Sequence, residues 1–320
     1  MPRCVVLPRH IGTNAAGMSP QGRPKGEYSS PQGEGTLMSP QGRPKGEYRN
    51  AQHAGCLISP TGGGKPPATL NSTMPHNPEL RRIEELGLNS SAPPGQLLYD
   101  GWLLRLLPGQ AKRARSVNAV YPSQLPLERK IAYCEQLYRQ HDLPVVFRIT
   151  PFSEPATLDG QLEQLGYPRF DTTAVETTSI DPAQLRDWPA ERLALPEWVE
   201  TVGALRGSGQ LARAGHLARL QSTLLPQCPL VVRRAGEVVA TGLVIVEDGW
   251  AGLFDIVTAT HARQQGFGRQ IVESLLRTAW ELGARQSYLQ VGADNTPARQ
   301  LYARYGFRER YLYWYRGHSD

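Results

Sequence analysis

The order of apolar patterns over residues 78–316 predicts an α/β protein built on a mixed sheet. Three observations carry that expectation. PLVVRR, EVVATGLVIV and WAGLFDIVT are strand-length runs joined by the short turns Ala235-Gly236 and Glu247-Asp248-Gly249, which makes a meander. A helix of about 15 residues follows, with Ile271, Val272, Leu275, Leu276, Ala279 and Trp280 on one face. A short helix ending in Gly-aromatic and running into a β-rich strand occurs twice, as GQLEQLGYPRF (160–170) and ARQLYARYGFRER (298–310). The repetition suggests two copies of one fold, in a chain of 320 residues with room for two domains.

Residues 1–73 stand apart and are expected to be disordered. They are rich in Gly and Pro, hold few large apolar residues, and carry MSPQGRPKGEY at 18–28 and again at 38–48. Two copies of so polar a unit cannot stack into a core. The tail reads as a flexible appendage or as sequence upstream of a start at Met74; a docking tail is the alternative. GGGK at 62–65 lacks the first Gly and the Ser/Thr of a phosphate loop.

The tail also holds most of the net positive charge. It has eight Lys/Arg and three Asp/Glu, against a formal net charge of +6 for the whole chain. A near-neutral body argues against nucleic acid as a partner. The cysteines, Cys4, Cys56, Cys134 and Cys228, are too dispersed for a metal site or a disulfide framework. No apolar run reaches signal-peptide or membrane-spanning length, so a soluble, cytoplasmic protein without a membrane partner is expected. Nothing in the sequence sets an oligomeric state.

A domain over 74–180 is expected to open with a helix at Pro78-Glu79-Leu80, with Leu80, Ile83 and Leu86 on one face. LLYDGWLLRLL (97–107) and RSVNAVYP (115–122) predict strands, and residues 127–142 an amphipathic helix carrying Ile131, Cys134, Leu137 and Tyr138. PVVFRIT (144–150) predicts a buried strand, Leu158 to Leu165 a helix stopped by Gly166, and 170–180 a strand. A second domain over 181–320 begins with helices near 195–206 and 211–225 and continues through the meander and the long helix, which Gly283 ends. SYLQV (287–291) is a strand, Thr296-Pro297 opens a helix as cap and first-turn proline, and RERYLYWYR closes the chain as a strand. Its Tyr311, Tyr313 and Tyr315 share one strand face, as substrate wall or as ordinary packing.

Chemistry concentrates in IVTATHARQQGFGRQIVESLL, where a strand, a loop with two glycines and a helix start follow in succession. Helix-start amides lack internal partners and sit at the positive end of the helix dipole, which favours a phosphate. Gly266 and Gly268 let backbone approach an anion closely. The third glycine of a dinucleotide fingerprint is replaced by Ile271, so by itself the loop could equally be a strand-to-helix turn.

Arg263-x-x-Gly266-x-Gly268 after a strand resembles the cofactor signature of the GNAT superfamily of N-acetyltransferases. Asn295-x-x-Ala298-x-x-Leu301-Tyr302-x-x-x-Gly306-Phe307 resembles the closing motif of that superfamily. The resemblance covers about 180–316 and implies a GNAT fold, with acetyl-CoA lying in the V between two neighbouring strands. It implies that backbone amides of Gln264, Gln265, Gly266, Phe267, Gly268 and Arg269, with Arg263 beside them, hold the pyrophosphate. Ile256, Val257 and Thr258 would bond the pantetheine and the thioester carbonyl, Asn295 would anchor the pantetheine, and Tyr302 would protonate the leaving thiolate. Thr260 stands where many relatives have proline.

Each role has a plainer counterpart. Tyr302 shares an inward face with Ala298, Leu301 and Tyr305 and could be a core aromatic; Asn295 could only shape a turn; Arg263 could pack or cap. The base is open between Asp255, on the same strand face as Val257, His261 in the following loop, and a water chain. Residues 74–180 resemble a degenerate GNAT-like half: PSQLPLE replaces the glycine loop, and a position near Leu162 falls where Tyr302 would be. This half is expected to bind no CoA and to wall the acceptor site. The expected function is transfer of an acetyl group from acetyl-CoA, with no metal, to a primary amine by direct attack in a ternary complex. The rival is an acyl-CoA-binding sensor that turns nothing over.

Overall fold

In a computed structural model, residues 77–107 and 111–318 are described, and these described residues form one compact unit. The tail over 1–73, its repeat and Met74 lie outside the described residues.

Helix α1 (Pro78–Asn89) is set by Asn77, whose side-chain oxygen accepts from the amides of Glu79 and Leu80 at 3.0 and 3.3 Å. Its Leu80, Ile83 and Leu86 are buried, as their spacing predicts. The single strand expected over 97–107 is instead a hairpin of β1 (Gln96–Tyr99) and β2 (Trp102–Arg105). Asp100 and Gly101 both take positive φ, 42° and 81°, which makes the two-residue turn that matches strand twist. Then come β3 (Val117–Ala119), α2 (Leu127–Gln140), β4 (Val146–Ile149), α3 (Leu158–Gln164) and β5 (Arg169–Ser179). A two-residue strand, β6 (Glu191–Arg192), has no counterpart in the sequence pattern.

Helices α4 (Leu195–Arg206) and α5 (Gln210–Ser222) precede the meander of β7 (Gln227–Arg234), β8 (Glu237–Glu247) and β9 (Trp250–Thr258). Next are α6 (Phe267–Glu281), β10 (Gln286–Gly292), α7 (Thr296–Ala303) and β11 (Arg308–Gly317). Asn295, not Thr296, caps α7: its side-chain oxygen accepts from the amide of Ala298 at 3.3 Å.

The eleven strands of the described residues join one sheet, in the order β1-β2-β3-β4-β11-β5-β10-β9-β8-β7-β6. The unit β3-α2-β4-α3-β5 repeats the layout of β9-α6-β10-α7-β11. In each, two parallel strands flank a helix, and a second helix leads to a long strand. The two long strands change sides. β5 pairs along its length with β10, while β11 pairs with β4, and β5 and β11 run antiparallel to each other at the centre. Helices cover both faces. One core lies under α6 and α7, a second under α1, α4 and α5, and a third under α2 and α3. Tyr311, Tyr313 and Tyr315 are buried in the second core, and the Tyr311 hydroxyl donates to Glu84 at 2.7 Å. No described helix is long and apolar enough to cross a membrane.

Candidate active site

The parallel ladder between β9 and β10 ends at Leu253 and Leu289, and beyond that pair the two strands part. On its other edge β9 stays paired, with Val257 and Thr258 opposite Thr241 and Ala240 of β8. The edge of Ile256, Val257 and Thr258 that faces β10 is therefore left for another extended chain to bond. Ile256 and Val257 keep their side chains in the two flanking cores.

At the end of β9 the chain makes the turn Arg263 to Gly266 and enters α6. Gly266 caps the helix at φ 87° and Gln264 sits at φ 60°, so both lie in the left-handed region. From Gln264 to Arg269, no backbone amide has a hydrogen-bond partner among the described residues; the first bond of the helix is donated by Gln270 to Gly266. A run of unpartnered amides at a helix start fits an anion. The flanking side chains are basic. Arg263 is exposed, Arg234 bonds the Gln265 side chain and stands 5.7 Å from the Phe267 ring, and Arg269 pairs with Glu273 at 2.8 Å.

Helix α7 closes against this loop. A Cβ built on Gly268 would sit 3.4 Å from both Leu301 Cδ2 and Thr258 Oγ1, so the end of β9, the start of α6 and the tyrosine-bearing helix converge. Tyr302 is 7% exposed, its hydroxyl has no partner among the described residues, and burial raises its pKa to about 12. The phenol keeps its proton at any working pH, as a proton donor must. Asn295, exposed at the head of the same helix, spends its side-chain oxygen on the cap and leaves its amide nitrogen to donate.

A bulge opposite Thr241 and Leu243 gives Asp255 a φ of 52°. It turns Phe254 and Asp255 toward the same helices, although strict alternation would part them. Asp255 Oδ1 lies 2.7 Å from Arg206 of α4, and Oδ2 lies 3.1 Å from Nε2 of His216 on α5, off the line of a hydrogen bond. Burial alone would raise the Asp255 carboxyl; His216, Arg206 and Arg219 outweigh it and hold it far below the carboxylate range. So strongly held an anion is a poor proton acceptor. His261, the other candidate in the sequence, is exposed and faces Glu237 at 3.4 Å.

His216 and Asp255 border a cavity of about 260 Å³ between α4, α5 and residues 111–114, also lined by Arg113, Arg206, Arg213 and Arg219. A wider depression of about 640 Å³ lies on the other side of Arg113, against Gln290, Asp294, Tyr313 and Tyr315. Sequence reasoning does not single out His216. The available pattern is its place four residues before the buried Leu220, on the same helix face. Its link to Asp255 depends on the bulge, which no motif announces.

The corresponding loop of the first half is closed. The amides of Gln124 and Leu125, just before α2, donate to the carboxylate of Asp100 at 3.1 and 2.9 Å. Those bonds, that of Leu125 first, lower the pKa of Asp100 despite partial desolvation. Here the chain supplies its own anion where the second half leaves amides open. Leu162, near the position of Tyr302, is a buried apolar side chain.

Residues 185–307 match the model of the acetyltransferase (GNAT) family. A relative named as an uncharacterized N-acetyltransferase, YobR of Bacillus subtilis, is 28% identical over 240 residues, which take in 72% of this chain and 94% of the relative. A GCN5-related N-acetyltransferase from Kribbella flavida superposes with a TM-score of 0.54 at 18% identity, over 78% of this chain and 97% of that one. A tandem GNAT protein from the clavulanic acid biosynthesis pathway gives a TM-score of 0.51 at 18% identity, over 74% of this chain and 89% of its own. The structural likenesses speak to the fold.

Proposed function

Because residues 185–307 form a GNAT acetyltransferase domain, whose family draws its acetyl group from acetyl-CoA, we propose that this protein is a cytoplasmic N-acetyltransferase acting on the primary amine of a small acceptor, by direct attack in a ternary complex. The observation that carries the proposal is the run of unpartnered amides from Gln264 to Arg269 at the mouth of the β9/β10 split, with His216 and Asp255 beside the same strand.

In this mechanism the amides of the glycine loop bind the pyrophosphate and Arg263 screens its charge. The free edge of Ile256 to Thr258 bonds the pantetheine and holds the thioester carbonyl, and the Asn295 amide steadies the arm. His216 takes a proton from the attacking nitrogen, because an ammonium has no lone pair to offer. Asp255 stabilises the imidazolium that results. The new C–N bond forms as the C–S bond breaks and Tyr302 gives its proton to the departing sulfur; the new amide nitrogen sheds its second proton to solvent, which restores the phenol and takes the proton from His216. Proton transfer of this kind contributes about 10²–10⁴-fold each way. Residues 74–180 bind no cofactor here and wall the acceptor cavity.

The test is thiol release from acetyl-CoA by the full chain across a panel of primary amines. Acceptor-dependent release supports the proposal. Tight acetyl-CoA binding with no release by any amine would make the protein a sensor instead.

A further inference from the structure

The acceptor cavity holds more positive charge than its own carboxylates balance. Arg206 is matched by Asp255 at 2.7 Å and Arg213 by Glu200 at 2.8 Å. Arg113 and Arg219 have no carboxylate within ion-pair distance among the described residues. Arg113 reaches from the first half to the point where β9 and β10 part, donates to the side-chain oxygen of Gln290, and stands 5.8 Å from the Phe254 ring. Its hydrogen-bond partner there is neutral; burial lowers its pKa, but Tyr313, Tyr315 and Asp255 outweigh that and raise it. Arg219 lies one helical turn from His216 on α5, and its guanidinium makes no hydrogen bond among the described residues.

A third guanidinium sits behind these two. Arg105 is buried and donates only to neutral oxygens, Leu88 at 2.7 Å, Arg113 at 3.2 Å, and Ser91 and Gln96. Burial, then Arg113 and Arg219, lowers its pKa to about 9. Burial also lowers that of Arg219, with Arg113 and Arg206 adding to it against the pull of Asp255. Arg105, Arg113 and Arg219 repel one another, and a bound anion offsets that cost. The opposite, glycine-loop side of the split has its own cations, Arg234 and Arg263, so the CoA phosphates do not need these.

We propose that the acceptor amine carries an anionic group, a carboxylate or a phosphate, which Arg113 and Arg219 bind while the amine faces His216. The inference rests on the acetyl-transfer function above and adds the substrate class. It also gives residues 74–180 a task, since Arg113 belongs to them: they recognise the acceptor. The volume of about 260 Å³ suits a small amino acid or aminoalkyl phosphate.

Calorimetric titration of the full chain, with CoA present, compares β-alanine with β-alaninamide and O-phosphoethanolamine with ethanolamine. The anionic member of at least one pair should bind about ten-fold tighter or more, the usual scale of a charge-assisted bond. Which pair shows the larger difference separates carboxylate from phosphate. Arg113→Gln and Arg219→Gln should each remove most of that preference, Arg219→Lys should keep part of it, and acetyl-CoA affinity should stay within a few-fold as a check on folding. Equal or tighter binding of both members that lack the anionic group overturns the proposal, as does no binding by any of the four, or a loss of acetyl-CoA affinity in the glutamine variants. Thiol release on the same samples separates the two claims. A binding preference without release defeats acetyl transfer alone, and release that favours the amines lacking an anionic group defeats the anionic acceptor alone.

Discussion

Nε2 of His216 lies 3.1 Å from Oδ2 of Asp255, and this approach ties helix α5 to the bulge in β9. It joins an imidazole to an anion that resists protonation. His216→Gln should lower kcat for acceptor acetylation by about 10²–10⁴-fold while acetyl-CoA still binds. Single-turnover thiol release checks this; an unchanged rate removes His216 from the mechanism.

Asp255 should also contribute to stability, with a definite pH window. Its pKa is depressed in the folded chain, so the contribution is complete above the unfolded value of ~3.9 and declines as pH falls below it. Thermal melts of the wild type and Asp255→Asn should differ clearly at pH 7. The gap should narrow steadily below about pH 4.

Tyr302→Phe tests the leaving-group step. The variant should lose kcat strongly, with acetyl-CoA affinity within a few-fold, because the phenol acts only as sulfur departs. With its pKa raised to about 12, Tyr302 should place no alkaline limb on the wild-type rate profile below that value.

Position 266 tests the loop. With φ at 87°, any L side chain is strained, costing about 1–3 kcal/mol, although the space beside it is open. Gly266→Val should weaken acetyl-CoA binding at least about ten-fold by moving the amides, with a lowered Tm measured alongside.

Glu273 is fully buried on α6. Burial pushes its carboxyl up, but Arg269, Trp188 and Tyr305 outweigh that and hold it below its usual value. Glu273→Ala strands the Trp188 and Tyr305 donors and should cost about 3–5 kcal/mol in denaturant unfolding. It lies away from the acceptor cavity, so the loss should appear in stability first.

Local pattern made most of this structure legible. The apolar spacing on α1 and α6, the glycine loop after β9, and the helix-Gly-aromatic unit before β5 and β11 all depend on neighbours in sequence, which periodicity and turn chemistry report directly. Three features escape that logic. The hairpin at Asp100-Gly101 hides inside a continuous apolar run. The bulge that aims Asp255 exists only through its pairing with β8. His216, Arg113 and Arg219 come together from three elements, and only the fold brings them to one cavity.

The crossing of β5 and β11 has a consequence for how the molecule is made. As the chain leaves the ribosome, β4 and β5 emerge well before β10 and β11, the strands that must lie beside them. The first half cannot complete its sheet while it is alone, and its open edges must wait for the last thirty or so residues of the described chain. Long-range pairing of this kind is slow to form. It also welds the two halves into one cooperative unit, so the halves should melt together, and Arg113 of the first cannot loosen from β9 and β10 of the second without unfolding both.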